Sequence, residues 1–218
     1  MIVQLLWMIM WFYNLVVRDL KLAFYSSTNF LFAASFLILI LILLPFIIDP
    51  KVNQFLQIYT GFIWLSIALS ILLTIDRVFE SDYEDGNLDA IILTQKPLEL
   101  IVCSKFTSHW IANCIPIILV IPISAILFGI NINEIINIIL NVLAGSTGMV
   151  FIGSAVSSLT LGSKRSGIYK SIIVIPLYIP FIIFGSNQES VLVILGLSMF
   201  AFIFSLFTTT YSLRLYAE

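Results

Sequence analysis

Charge is what this chain most lacks. Of its 218 residues 10% are Asp, Glu, Lys or Arg, where an ordinary soluble domain carries about 25%, and 61% are hydrophobic. One globular core cannot hide that surplus, so a soluble enzyme is excluded. Histidine occurs once, at His109, so a protein zinc site would need carboxylates that the apolar stretches do not hold. Cys103 and Cys114 are too few for a disulfide framework and read as small buried hydrophobes. There is no Walker loop: the nearest string, Gly162-Ser163-Lys164-Arg165, lacks the first glycine and the following hydroxyl. The chain is therefore expected not to be an enzyme, and ATP hydrolysis, if its work needs any, belongs to a partner. A net charge of −2 leaves no basic surface for nucleic acid.

What is present is a series of long uncharged stretches. They run between Lys21 and Asp49, Lys51 and Asp76, Lys105 and Glu134, Glu134 and Lys164, Lys170 and Glu189, and Glu189 and Arg214. A helix needs roughly 20 apolar residues to cross a hydrocarbon core of about 30 Å. The spacing predicts an all-α polytopic membrane protein with six transmembrane helices: Phe30–Ile48, Phe55–Ile75, Ile101–Phe128, Ile135–Leu161, Ile168–Gly185 and Val191–Tyr211. With both termini inside, Arg18, Lys21, Arg77, Lys96, Lys105, Lys164, Arg165, Lys170 and Arg214 are cytoplasmic and Lys51 alone is outside. The outer turns, Asp49–Gln54, Gly129–Glu134 and Ser186–Ser190, are too short for a receptor domain.

Met1–Val17 is apolar, but its charges, Arg18 and Lys21, follow it and no small-residue cleavage site appears, which argues against a signal peptide. Residues 1–29 read instead as an N-terminal interfacial amphipathic helix to about Phe24, ahead of a permease domain over 30–218. Met8 and Met10 leave the translation start open. In the fourth span Ala144-xxx-Gly148 and Gly153-xxx-Ser157 have close-approach spacing. Pro116, Pro122, Pro176 and Pro180 fall inside the third and fifth spans, as prolines do in static and moving bundles alike.

The sizeable cytoplasmic segment is 76–105, which holds Asp76, Glu80, Asp82, Glu84, Asp85, Asp89 and Glu99 against Arg77, Lys96 and Lys105. Val78, Phe79, Asp82 and Tyr83 are expected to continue the second span below the membrane. Gly86 then supplies a left-handed stop, Asn87 caps a short helix Leu88–Leu93, and Pro97 opens the third span. This cytoplasmic coupling elbow would present Ile91, Ile92 and Leu93 beside acidic groups, as a partner-docking site rather than a solvated loop. His109 and Trp110 are carried as candidate haem or cargo contacts, against the plainer reading of interface and packing residues.

Asp76-Arg77-Val78-Phe79 with Asp82 and Asp85-Gly86-Asn87-Leu88 resembles a family's acidic signature. Pro97-Leu98, Lys105-x-x-x-His109-Trp110, Gly162-Ser163-Lys164-Arg165-Ser166-Gly167 and Pro176-Leu177-Tyr178-Ile179-Pro180 follow in the same order. From about Met10 to the C-terminus the chain resembles the CcmB family, the haem exporter membrane proteins of the cytochrome c maturation ATP-binding-cassette complex. The resemblance implies a permease subunit paired with a second copy of itself, a cytoplasmic ATPase subunit and other cytochrome c maturation membrane subunits. It also implies haem as candidate cargo and a location in the bilayer of the bacterial inner membrane, a mitochondrially encoded homologue being the other origin. Two other readings stay open: a permease for another amphipathic cargo such as a lipid or drug, and a non-transporting membrane assembly scaffold.

The charge split makes a topological prediction. A cysteine placed at Asn53 or Asn131 should react with an impermeant thiol reagent from outside, and one at Ser81 should not; the reverse pattern would invert the orientation.

Overall fold

The computed structural model describes residues 2–25, 35, 38–40, 43–44, 48, 54–93, 96–163, 166–187 and 191–217. Helix α1, Ile2–Tyr25, comes first. Helix α2 is Phe55–Thr74, followed by a single 3-10 turn, Ile75–Arg77, and the short helices α3, Glu80–Glu84, and α4, Asn87–Ile92. The long helices are α5, Leu98–Leu127, α6, Ile132–Leu159, α7, Ser166–Ser186, and α8, Val191–Ala217. There is no strand among the described residues, and the chain is an all-α polytopic membrane protein. Five described helices, α2 and α5 to α8, are long and apolar enough to cross a membrane. The remaining expected span, Phe30–Ile48, the first along the chain, lies mostly outside the described residues.

Two expectations about the elbow need correcting. The second span does not run on below the membrane: α2 stops at Thr74, the chain tightens into a 3-10 turn, and Phe79 leaves helical geometry with φ −126° and ψ −26° before α3 begins. Asn87 is the first residue of α4 rather than a cap ahead of it. Gly86 does adopt the left-handed conformation, with φ +69°, which a side-chain-bearing residue adopts at a cost. Pro97 occupies the N-cap of α5.

The main core is organised by α2, whose Tyr59, Ile63, Trp64, Ile67 and Ile71 form a buried stripe at helical spacing. Between apolar helices water supplies no drive for association within lipid, so close packing and hydrogen bonds must hold them. Both are visible on α6. Its small residues Ala144, Gly145, Gly148 and Gly153 are buried, and its contact with α8 is the most extensive in the molecule. Ser198 Oγ donates to the Ala144 carbonyl at 2.7 Å and Ser212 Oγ to that of Ser158 at 2.9 Å. Across α6 to α7, Tyr178 donates its hydroxyl to the Met149 carbonyl at 2.9 Å. Trp64 lies flat in the space left by Gly145 and Gly185.

Helix α1 runs beside the first half of α5 in the same direction. Lys96 Nζ, just ahead of α5, sits 4.4 Å from the Trp7 ring and 4.1 Å from the Trp11 ring, while Asp19 reaches Lys105 further along. Trp7, Met8, Ile9, Met10 and Tyr13 remain exposed.

A Cβ at Gly148 would stand 2.5 Å from Phe181 Cε1 and 2.7 Å from Ser198 Oγ, whereas one at Gly196 meets nothing within 4 Å. Gly148→Leu is therefore expected to cost at least about 2 kcal/mol by overpacking and Gly196→Leu close to none. Folded yield and thermal unfolding in detergent would measure both; equal behaviour would mean that the Gly148 face is not packed.

Candidate functional site

The elbow is fastened to the bundle by an apolar hinge and two buried lysines. Val78, Phe79 and Leu88 pack with Val102 and Phe106 of α5, with Leu161, just past α6, and with Leu213 of α8 in a second core separate from the main one. At the root, Ser157 Oγ of α6 donates to the Ile75 carbonyl at 3.0 Å, the same oxygen that accepts the 3-10 turn's hydrogen bond from the Val78 amide at 3.3 Å. Phe79 is fully buried and Leu88 nearly so, so these two residues of the predicted docking set are turned inward.

The first lysine cluster joins three elements. Lys105 Nζ of α5 is paired with Asp82 Oδ2 of α3 and lies 3.6 Å from Asp19 Oδ2 of α1. Arg18 closes the group, 2.7 Å from Asp19 Oδ1 and 3.9 Å from Asp82 Oδ2. The Lys105, Asp82 and Asp19 side chains are 7%, 6% and 9% exposed. Among the described residues nothing other than the Lys105 and Arg18 cations faces the two Oδ2 atoms as a donor, so these charges are what compensate their burial. In the second cluster Lys170 of α7 holds Asp76 Oδ1 and Glu80 Oε2 of the elbow at 2.6 and 3.0 Å.

Between α1, α2, the elbow and α5 opens a cavity of about 580 Å³. Asp19, Asp76, Glu80, Asp82, Glu84 and Asp85 contribute to its wall, with Lys105 and His109 as the basic members. His109 lies deeper, beside Asn113, whose amide donates to the His109 carbonyl at 2.9 Å and whose Oδ1 accepts from Thr74 Oγ1 at 2.8 Å. Trp110 faces another way and donates Nε1–H to Ser146 Oγ of α6 at 2.9 Å. The neighbouring pair therefore does not form one site. A wall of carboxylates suits a cation and repels the two propionates of a haem.

The remaining predicted residues are at the tip or outside view. Asp85 and Gly86 are exposed, Ile91 is half-buried and Leu93 is 78% exposed. Arg77 and Ile92 are described through their backbone alone. Lys105, Lys170 and Asp19 were not among the candidate site residues, because a lysine at the end of an apolar stretch reads as a marker of the membrane edge. The usable signal was the surplus of acids in the elbow, which needs counter-charges from somewhere.

A family profile described as CcmB protein matches residues 10–217. The chain belongs to this family. It is 33% identical to Heme exporter protein B of Haemophilus influenzae over 176 residues, 81% of this chain and 80% of that protein. The protein of the same name from Rhodobacter capsulatus is 32% identical over 173 residues, 79% of each chain. That from Escherichia coli K12 is 32% identical over 177 residues, 81% and 80% of the two. The CcmB match takes in every member of both lysine clusters. As a CcmB protein the chain is a multi-pass membrane component of a transport system and not itself a catalytic enzyme.

Removing one partner of a buried ion pair strands the other, at about 3–5 kcal/mol, while removing both can be nearly neutral. Lys105→Met should accordingly lower thermal stability in detergent, and adding Asp82→Asn should restore at least half of the loss. Additive losses would mean that the pair is not the compensating interaction.

Proposed function

We propose that this chain is the permease subunit of an ATP-driven ATP-binding-cassette exporter that serves haem delivery in c-type cytochrome assembly. The observation that carries the reading is its similarity, over about four-fifths of both chains, to proteins named Heme exporter protein B. The finer parts belong to the same proposal. The membrane domain comprises residues 30–218 with six spans, and residues 1–29 form an interfacial helix. Both termini face the cytoplasm of a bacterial inner membrane. A second copy of the chain, a cytoplasmic ATPase and further cytochrome c maturation subunits complete the assembly, with haem as cargo.

The elbow is the docking site for the ATPase in this reading. Its inner face is occupied by the bundle, so the contact falls to the exposed residues Glu84, Asp85, Gly86 and Leu93, with Ile91 and Ile92 kept in the docking set as the sequence reading has them. Asp76, Phe79, Asp82 and Leu88 then act from behind by fixing how those residues are aimed. A protein–protein contact draws most of its energy from a few central anchors. Leu93→Asp combined with Glu84→Lys and Asp85→Lys should therefore abolish co-purification of the ATPase, at a cost of about 2 kcal/mol or more. Membrane levels should stay unchanged, and c-type cytochromes should be lost with b-type cytochromes intact. Full ATPase capture by this variant would move the docking site elsewhere, and loss of both cytochrome types would remove the link to c-type assembly.

A further inference from the structure

Lys170 is the fifth residue of α7, and its side chain is 1% exposed. Its two acceptors, Asp76 and Glu80, both belong to the elbow and stay partly wet, with side chains 45% and 25% exposed. Among the described residues no other acceptor lies within hydrogen-bond distance of Nζ. The tie is therefore one-sided. If the elbow drew away, its already wet carboxylates would re-enter water, whereas the buried ammonium would lose both acceptors that hold it in place. A buried ammonium follows its counter-charges.

Helix α7 is also built to let its lower part follow. Pro176 and Pro180 lack the amides that would bond the carbonyls of Ile172 and Pro176, so the helical ladder is weakened just above the lysine. Beyond that point α7 is pinned to α6, through the Tyr178–Met149 hydrogen bond and through Phe181 against Gly148. Below it, Gly167 brings the backbone up to Asp76, where an added Cβ would lie 3.8 Å from Oδ2.

The geometry points to Lys170 as a positioning residue that makes the base of α7 move with the elbow. Through it, displacement of the elbow by a bound ATPase is passed to a membrane-spanning helix. This rests on the elbow being the ATPase docking site. Helix α6, which holds the elbow root through Ser157, contains no proline and supplies the fixed frame against which the base of α7 swings.

The test is made on the whole complex in a strain lacking its own copy of the subunit. Four quantities are read: membrane level, co-purified ATPase, ATP hydrolysis by the purified complex and haem-stained c-type cytochrome. Lys170→Met should leave the first three near wild type and lower holocytochrome c by roughly tenfold, the scale of a broken coupling contact. Lys170→Arg, which keeps the charge, should recover most of that loss. In case the single neutral variant folds poorly, Lys170→Met with Asp76→Asn and Glu80→Gln leaves no charge stranded and should show the same uncoupled pattern. Full holocytochrome c in either neutral variant overturns the proposal. So does an arginine variant no better than methionine, or a loss that tracks membrane level in both neutral variants, which would make Lys170 a purely structural tie. Failure of the docking reading looks different: the variant with Leu93→Asp, Glu84→Lys and Asp85→Lys would still capture the ATPase in full, so no displacement would enter through the elbow, and both inferences would fall.

Discussion

A lysine ammonium taken out of water must bring its counter-charge with it, and in this chain that requirement decides where the elbow lies. An unpaired charge in apolar surroundings costs several kcal/mol even after relaxation. Lys105 and Lys170 are on different spanning helices, and both find their carboxylates on the same short segment. Satisfying one lysine brings α3 to α5 and α1; satisfying the other brings the root of the elbow to the base of α7. The apolar contacts of Phe79 and Leu88 fill the space between. Charge sets the address and packing sets the fit.

Inside the membrane the constraint is of another kind. Lipid is as apolar as leucine, so helices gain nothing by hiding from it and must gain by fitting each other. The small face of α6 meets that need twice, letting Trp64 lie against Gly145 on one side and Phe181 against Gly148 on another. Serine and tyrosine hydroxyls then donate to carbonyls of the facing helix, where an unpaired hydroxyl would find no water. This scaffold is densely packed around α6, with Asn141 Oδ1 and Ser154 Oγ left as buried atoms without a hydrogen-bond partner among the described residues, and the elbow is hung from its end through the Ser157–Ile75 hydrogen bond.

Much of this fold was legible because hydropathy and length are enough to find spans. Five of the predicted spans agree with helices α2 and α5 to α8, with ends shifted by a few residues, and the stop at Gly86 followed from glycine's access to positive φ. The close-approach spacing in the fourth span likewise pointed to the packed face of α6. The break at Phe79 was not legible. Apolar residues at helical spacing look alike whether the helix runs straight or folds back, and which occurs depends on Phe79 finding a pocket made by α5, α8 and Leu161. The lysine clusters escaped for a related reason: a sequence shows that a lysine borders an apolar run, but its partners lie 23 residues away for Asp82–Lys105 and 94 for Asp76–Lys170, along no helical or strand period. His109 and Trp110 are adjacent in sequence and so look like one candidate, but the helix itself separates them, aiming one at the cavity and the other at Ser146.

The division of acids within the elbow connects these two levels. Asp76, Glu80 and Asp82 are compensated by lysines from the spans, and Glu99 pairs with Arg214 at 3.2 Å. Glu84 and Asp85 pair with no cation among the described residues and sit exposed beside Gly86, at the rim of the cavity that the elbow forms with α1, α2 and α5. A segment that needed acids only for its own attachment would have no use for these two. A segment that needed only solubility would have no use for the exposed Leu93 just past the end of α4. Charge used inward ties the elbow to the spans, and in the docking reading proposed above the charge left exposed would meet a basic partner surface. The same short segment thus has attached and exposed side chains on both of its helices. The left-handed turn at Gly86 joins α3, attached through Glu80 and Asp82, to α4, attached through Leu88.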